Sequence, residues 1–173
     1  MQVRLATEGD AQTLAELGAK TFYETFRPFH SEEDMQLYIS GAYDVNKILS
    51  NLHSPAHIYL LAEENEKAGG YVKLIKDVTI PALHGRLIEM EKIYVLKEEL
   101  GSGMGASLMK SALEISLKEG YDQMLLGVWQ ENHRAVAFYK KFGFTVFNTR
   151  KFQLGKETCE DFMMSIALKD FKR

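Results

Sequence analysis

The sequence predicts an α+β domain in three layers, with one sheet of about seven strands flanked by helices. Three observations carry this. Short runs rich in β-branched and aromatic residues recur along the chain, as strands do. Stretches with apolar residues three and four apart separate them, as amphipathic helices would. Between Leu87 and Gly105 a strand, a glycine-rich bend and a helix start follow one another directly. A chain of 173 residues is long enough for one sizeable core and too short for two comfortable domains, so residues 1–173 are expected to form one unit.

In chain order, Gln2 to Ala6 reads as a first strand. Thr7-Glu8-Gly9-Asp10 then supplies capping residues for a helix carrying Leu14, Leu17, Ala19 and Phe22. Ser31-Glu32-Glu33-Asp34 is an N-cap followed by acids in a first turn, and a third helix spans Asp44 to Leu52, ending before Pro55. His57 to Glu63 and Gly70 to Lys76 read as strands joined by residues 64–69, and Ile88 to Val95 as the central strand. A helix follows, with Met104, Leu108, Ala112 and Ile115 on one face and Gly120 placed for a left-handed cap. Gln123 to Trp129, Asn132 to Phe142, Thr145 to Leu154 and Phe162 to Leu168 complete the pattern as strand, helix, strand and strand.

The bend Gly101-Ser102-Gly103-Met104-Gly105, with Ala106 after it, is built to receive an anion. Orphan N–H groups at a helix start point outward, the helix dipole adds about half a positive charge, and glycines admit close approach of the main chain. A phosphate or pyrophosphate is the natural guest; a merely flexible loop is the other reading. Gly101-x-Gly103-x-x-Ala106 also fits a short dinucleotide fingerprint, but residues 96–100 separate it from its strand and no clear acid follows about twenty positions on. A Walker A loop is excluded, because no Gly-Lys-Ser/Thr is present there.

Strict alternation along the central strand puts Glu89, Glu91, Ile93 and Val95 on one face. Two carboxylates there mean either a wet face or a cleft. In a cleft, burial beside a second carboxylate would raise a pKa and suit the group to accept a proton near neutral pH. The aromatic segment Thr21 to Phe29, with Tyr23, Glu24 and Phe29, is either helix-to-sheet packing or the wall of an acceptor pocket. In the later segment Asn132 is a good N-cap and Ala135, Phe138 and Phe142 share a helix face. Tyr139 either packs with a solvated hydroxyl or presents that hydroxyl at the end of the sheet.

Net charge of −3 and a pI near 6 argue against nucleic-acid partners. No apolar run approaches the roughly 20 residues a membrane helix needs, Met1-Gln2-Val3-Arg4 is no signal segment, and Cys159 has no intrachain partner. A cytoplasmic protein is expected. The five histidines show no metal-ligand spacing, so no metal is expected either.

Ile93-Tyr94-Val95, the glycine bend with its helix, and the Asn132 to Phe144 segment together resemble the GNAT superfamily of N-acetyltransferases, whose acetyl-CoA signature is Q/R-x-x-G-x-G/A. The likeness covers almost the whole chain and implies a mixed, mostly antiparallel sheet. Glu89-x-Glu91-x-Ile93-Tyr94-Val95, Gly127-Val128-Trp129 and Thr21 to Phe26 look most like the bacterial spermidine/spermine acetyltransferases. Leu100 departs from the signature, standing where Gln or Arg is usual, which implies weaker cofactor affinity.

The resemblance implies acetyl transfer from acetyl-CoA to a small-molecule amine such as a polyamine. Backbone groups of Ile93, Tyr94 and Val95 would pair with the pantetheine arm. Amides from Gly101, Ser102, Gly103, Met104, Gly105 and Ala106 would hold the pyrophosphate, with Asn132, Ala135, Tyr139 and Lys141 completing the cofactor site. Glu91, or Glu89, would be the base and Tyr139 the acid, with Tyr23, Glu24, Phe29 and Trp129 on the acceptor side. A homodimer pairing through the C-terminal strand is possible on the same ground. The alternatives are a peptide N-terminus, an amino acid or an antibiotic amine as acceptor, or a binding module without turnover.

Overall fold

Strand β1 (Gln2–Leu5) leads into three helices, α1 (Ala11–Phe26), α2 (Glu32–Ala42) and α3 (Val45–His53). The computed structural model describes residues 1–154 and 156–171. The helix starts obey their sequence signals: the side chain of Ser31 accepts the N–H of Asp34, and that of Asp44 accepts the N–H of Lys47.

Strands β2 (His57–Glu64) and β3 (Lys67–Val78) form a hairpin. Asn65 and Glu66 both have positive φ, at 50° and 63°, so the turn is a two-residue one whose twist matches its strands. The six-residue connection expected at 64–69 is therefore shorter, and β3 starts three residues earlier than its apolar run. Strand β4 (Leu87–Val95), helix α4 (Met104–Lys118), strand β5 (Gln123–Trp129) and helix α5 (His133–Lys141) follow. Gly120, at φ 81°, ends α4 with its N–H donating to Leu117 and that of Tyr121 to Ser116. The last strands are β6 (Thr145–Leu154) and β7 (Glu157–Ala167). The start of β7 precedes the expected Phe162 because Glu157 to Asp161 is too polar to read as a strand and is held by pairing with β6.

The seven strands run in the order β1-β2-β3-β4-β5-β7-β6, antiparallel throughout except between β4 and β5. Strand β7 has neighbours on both sides, so the open edge at that end is β6 rather than the C-terminal strand.

Each sheet face has its own core. Leu108, Met109, Ala112 and Leu113 of α4 are completely buried against Ile88, Met90, Met124 and Leu126. Leu14, Phe22 and Met35 of α1 and α2 are buried against Tyr59, Leu61 and Tyr71 on the opposite face. No helix among the described residues is long and apolar enough to cross a membrane.

Candidate active site

Strands β4 and β5 pair only through Leu87, Ile88 and Glu89 against Gln123, Met124 and Leu125. Beyond those pairs both strands continue, β4 to Val95 and β5 to Trp129, without pairing to each other. The parting begins where β4 bulges. Lys92 faces Lys73 of β3 and Met90 faces Leu74, so Glu91 is the extra residue between them. A bulge re-aims side chains and breaks the alternation of a strand.

This corrects the alternation read from the sequence. Ile88 and Met90 pack with Ile93 and Val95 in the α4–α5 core, while Tyr94 belongs to the α1–α3 core. Glu89 and Glu91 consequently do not share a face with Ile93 and Val95. Glu91 meets Lys73 Nζ at 2.5 Å.

The glycine bend closes one end of the gap. Gly101 and Gly103 have φ of 91° and 92°, values that favour glycine, and Gly103 caps α4 in a left-handed conformation. The hydroxyl of Ser102 accepts the N–H of Met104 at 3.2 Å and donates to the carbonyl of Glu99 at 2.8 Å. A Cβ on Gly105 would lie 3.7 Å from Val95 and 3.8 Å from Phe138, which puts the start of α4 beside the end of β4 and beside α5. Leu100 is exposed in this bend. Helix α5 begins at Asn132, whose side-chain oxygen accepts the N–H of Ala135 at 3.1 Å, leaving its amide nitrogen to donate elsewhere. Lys141 is exposed at the other end of that helix, and Ala135 is half-buried.

Tyr139 is buried in the α4–α5 core, its ring set edge-on to Phe138 and Phe144. Burial pushes its hydroxyl well above the ordinary phenol range. Tyr94 is raised too, by burial first and then by Tyr43, Tyr38, Tyr139 and Asp161. Groups from both sheet faces therefore act on one another around the gap.

On the α1–α3 side lies a set of charges that reading the sequence missed. Arg150 of β6 reaches across β7 and donates to Glu89 Oε1 at 3.3 Å, with Asp161 Oδ2 at 3.7 Å from its Nε. It lies over Gly127, where a Cβ would come within 2.5 Å of the guanidinium. A glycine inside an apolar strand, as Gly127 is, marks a close approach of this kind and is the one sequence signal for it. Burial holds Asp161 above the usual carboxylate range, with Arg150 opposing. For Glu91 burial also pushes upward, but Lys92, Lys73 and His57 together outweigh it and hold the carboxyl below its ordinary range. The expected upward shift from paired carboxylates is thus reversed at Glu91 by two lysines. Lys92 is itself lowered by burial, against the opposing charge of Glu91.

Beside Glu91 is a cavity of about 420 Å³, walled by tyrosines 38, 43, 59 and 71 with Lys73 and Lys92. Tyr23, Glu24, Phe29 and Trp129, expected on the acceptor side, have these surroundings. Tyr23 donates to Glu32 at 2.9 Å, and Glu24 accepts the N–H of Lys97, holding the turn after β4. Phe29 is 60% exposed and packs edge-on against Trp129 with centroids 5.0 Å apart. None of them lines this cavity. Among the described residues no group of three His, Cys, Asp or Glu side chains is placed to hold a metal ion.

A mixed sheet parted beside a bulge, with a glycine-capped helix at one end of the gap, marks the class of α+β proteins that can lay an extended, phosphate-bearing guest along an unpaired strand edge. The comparisons agree. The model of the acetyltransferase (GNAT) family matches residues 18–144. An uncharacterized N-acetyltransferase of Mycobacterium tuberculosis is 31% identical over 155 residues, 90% of this chain and 96% of that one. A spermidine N(1)-acetyltransferase of Thermoplasma acidophilum is 24% identical over 153 residues, 86% and 91% of the two chains. The crystal structure of the PaiA N-acetyltransferase of T. acidophilum in complex with coenzyme A superposes with a TM-score of 0.77 at 22% identity, over 96% of this chain and 99% of that one. The chain belongs to the acetyltransferase (GNAT) family and is an acetyl-CoA-dependent N-acetyltransferase.

Proposed function

We propose that the chain moves the acetyl group of acetyl-CoA directly onto the primary amine of a small molecule, with Glu91 as base and Tyr139 as acid. The observation that carries this reading is the parting of β4 from β5 at the Glu91 bulge, between the glycine bend and the cavity. A strand edge left unpaired offers backbone donors and acceptors to an extended guest. Ile93, Tyr94 and Val95 suit the pantetheine arm. The amides from Gly101 to Ala106 suit the pyrophosphate, at the positive end of α4. Lys141 and the free amide nitrogen of Asn132 are the remaining cofactor donors. Acetyl-CoA supplies an electrophilic carbonyl and a thiolate leaving group.

A primary amine is protonated at pH 7, since its pKa is near that of lysine at about 10.4. Glu91, ionised among its lysines, takes one proton from the ammonium directly or through a water, with Glu89 as its rival for this role. The nitrogen then bonds the acetyl carbon. As the carbon–sulfur bond breaks, Tyr139 gives its proton to sulfur and regains one from the newly acylated nitrogen. One proton per turnover leaves through Glu91. The raised phenol of Tyr139 keeps that group in its protonated, donating form. Backbone N–H near Tyr94 stabilises charge developing on the carbonyl oxygen.

Two acceptor classes have separate support. The likeness to a spermidine acetyltransferase and the carboxylates of Glu89, Glu91 and Asp161 support a polyamine such as spermidine or spermine. The cations lying on those carboxylates support an amine of the amino-acid kind. Release of free CoA thiol from acetyl-CoA across a panel of polyamines, amino acids, peptides and aminoglycosides tests both. Release with no amine at all would remove the transferase mechanism argued above.

A further inference from the structure

Lys92 is the unusual member of the cavity beside Glu91. Its Nζ donates to the Tyr38 hydroxyl at 3.4 Å and lies 5.8 Å and 5.4 Å from the ring centroids of Tyr38 and Tyr43. No carboxylate among the described residues comes within ion-pair distance of it, because Glu91 is taken up by Lys73 at 2.5 Å. With Lys47 also in the lining, the cavity wall holds one carboxylate, Glu91, against three ammonium groups.

Two more donors stand with them. Tyr43 and Tyr71 are 7% and 2% exposed, and both line the cavity. Their hydroxyls lie close enough to act on each other, and neither meets any other hydrogen-bond partner. Two buried hydroxyls with only each other for company can share one bond and leave one proton undonated, which is costly, and a native pocket that keeps them beside an ammonium is shaped for an acceptor-rich guest. A volume of about 420 Å³ lies in the range of small-ligand pockets.

Resting on the transferase reading above, we infer that this cavity seats the acceptor and selects a small amine that also carries a carboxylate. Lys92 receives the carboxylate, the Tyr43 and Tyr71 hydroxyls donate to it, and the amine turns toward Glu91. A polyamine brings no anion to offset the lysines and would add cations to a wall already in positive surplus. Amino acids with a short amine-bearing side chain satisfy both ends.

Matched pairs that differ only by the carboxylate test this: lysine with cadaverine, ornithine with putrescine, and tyrosine with tyramine. Purified full-length protein is given acetyl-CoA and each amine, and thiol release is followed. At least one acid is expected to exceed its decarboxylated partner by about tenfold or more in kcat/KM, the size of one charge-assisted contact. Lys92→Met should bring that ratio toward one. The ratio is the informative quantity, since losing Lys92 also alters Glu91 and so affects both members of a pair. Tyr43→Phe deletes one hydroxyl with little change of shape, and should lower the same ratio severalfold even if Lys92→Met folds poorly. Equal or greater activity with the decarboxylated amines, or a preference that survives both substitutions, overturns the inference and leaves the transferase reading intact. Absence of thiol release with every amine, spermidine and spermine included, overturns both.

Discussion

On the α4–α5 face of the sheet, Ile88, Met90, Leu108, Met109, Leu126 and Met164 close into an apolar layer. On the α1–α3 face, the same sheet buries Lys73 and Asp161, half-buries Lys92 among tyrosines, and half-buries Glu89 beside Arg150. Buried apolar surface contributes about 25 cal/mol per Å², whereas buried ion pairs often contribute nothing net. The first face is therefore given wholly to holding the fold together, whereas the second sets a polar cavity into its own apolar core. Glu91, at the bulge, is where the central strand passes from one regime to the other.

Tyr139 is the sharpest way to break this division, because it belongs to the apolar layer and yet is assigned chemistry. Tyr139→Phe keeps the ring packing against Phe138 and Phe144 and removes only the proton donor. Turnover should fall by about 10² to 10⁴-fold, with melting temperature and acetyl-CoA affinity nearly unchanged. Steady-state kinetics beside isothermal titration with acetyl-CoA would check it; unchanged turnover would return Tyr139 to a packing role.

Next in size is a pair of substitutions, one on each face. Leu108→Ala cuts a completely buried side chain and should cost about 2–5 kcal/mol, lowering the melting temperature by roughly 5–15 °C. Lys92→Met on the other face removes a half-buried cation with no ion-pair partner. Its melting temperature should stay the same or rise while activity falls. A large drop in stability for Lys92→Met would mean that the polar face is structural after all.

Gly103→Ala should have a smaller effect, about 1–2 kcal/mol, because an alanine must be forced to φ 92° although space for its methyl is open. The cost should appear mainly as weaker acetyl-CoA binding, since the strained residue caps the helix whose amides face the pyrophosphate. Titration with acetyl-CoA separates that outcome from general unfolding.

What the sequence disclosed follows the same division. The apolar layer was legible because Met104, Leu108, Ala112 and Ile115 keep helical spacing and Gln123 to Trp129 keeps a strand run; such periodicity is what burial of one face imposes. Caps at Ser31, Asp44, Asn132 and Gly120 were legible because each is a local signal. The polar face was not, because its contacts are long-range. Lys73 meets Glu91 across a bulge that no local pattern marks, and Arg150 finds Glu89 only after β6 and β7 have been laid in place. Strict alternation misassigned Ile93 and Val95 to the face of Glu89 and Glu91 for the same reason: one extra residue inverts the remainder of the strand.

The smallest expected effect concerns a polar cluster of the opposite kind, at the far edge of the sheet. Arg4 donates to Asp10 at 2.8 Å from two nitrogens and to Glu63 at 2.8 and 3.0 Å, tying β1 to β2 and to the start of α1. The hydrogen bonds from Arg4 hold the Asp10 carboxyl well below the usual carboxylate range, with Thr7 helping and burial opposing. A depressed folded-state pKa means stability that is present above the unfolded value, near 3.9, and is lost as pH falls through the folded one. Asp10→Asn should therefore cost about 1 kcal/mol or less at pH 7, where solvent screens the pair. It should also flatten the loss of stability that the unmodified chain shows on acidification below about pH 4. Urea midpoints measured from pH 7 down to pH 3 would check this. An unaltered slope would mean that Arg4 and Glu63 hold the edge without Asp10, leaving the carboxylates of the cleft as the groups whose protonation the fold feels.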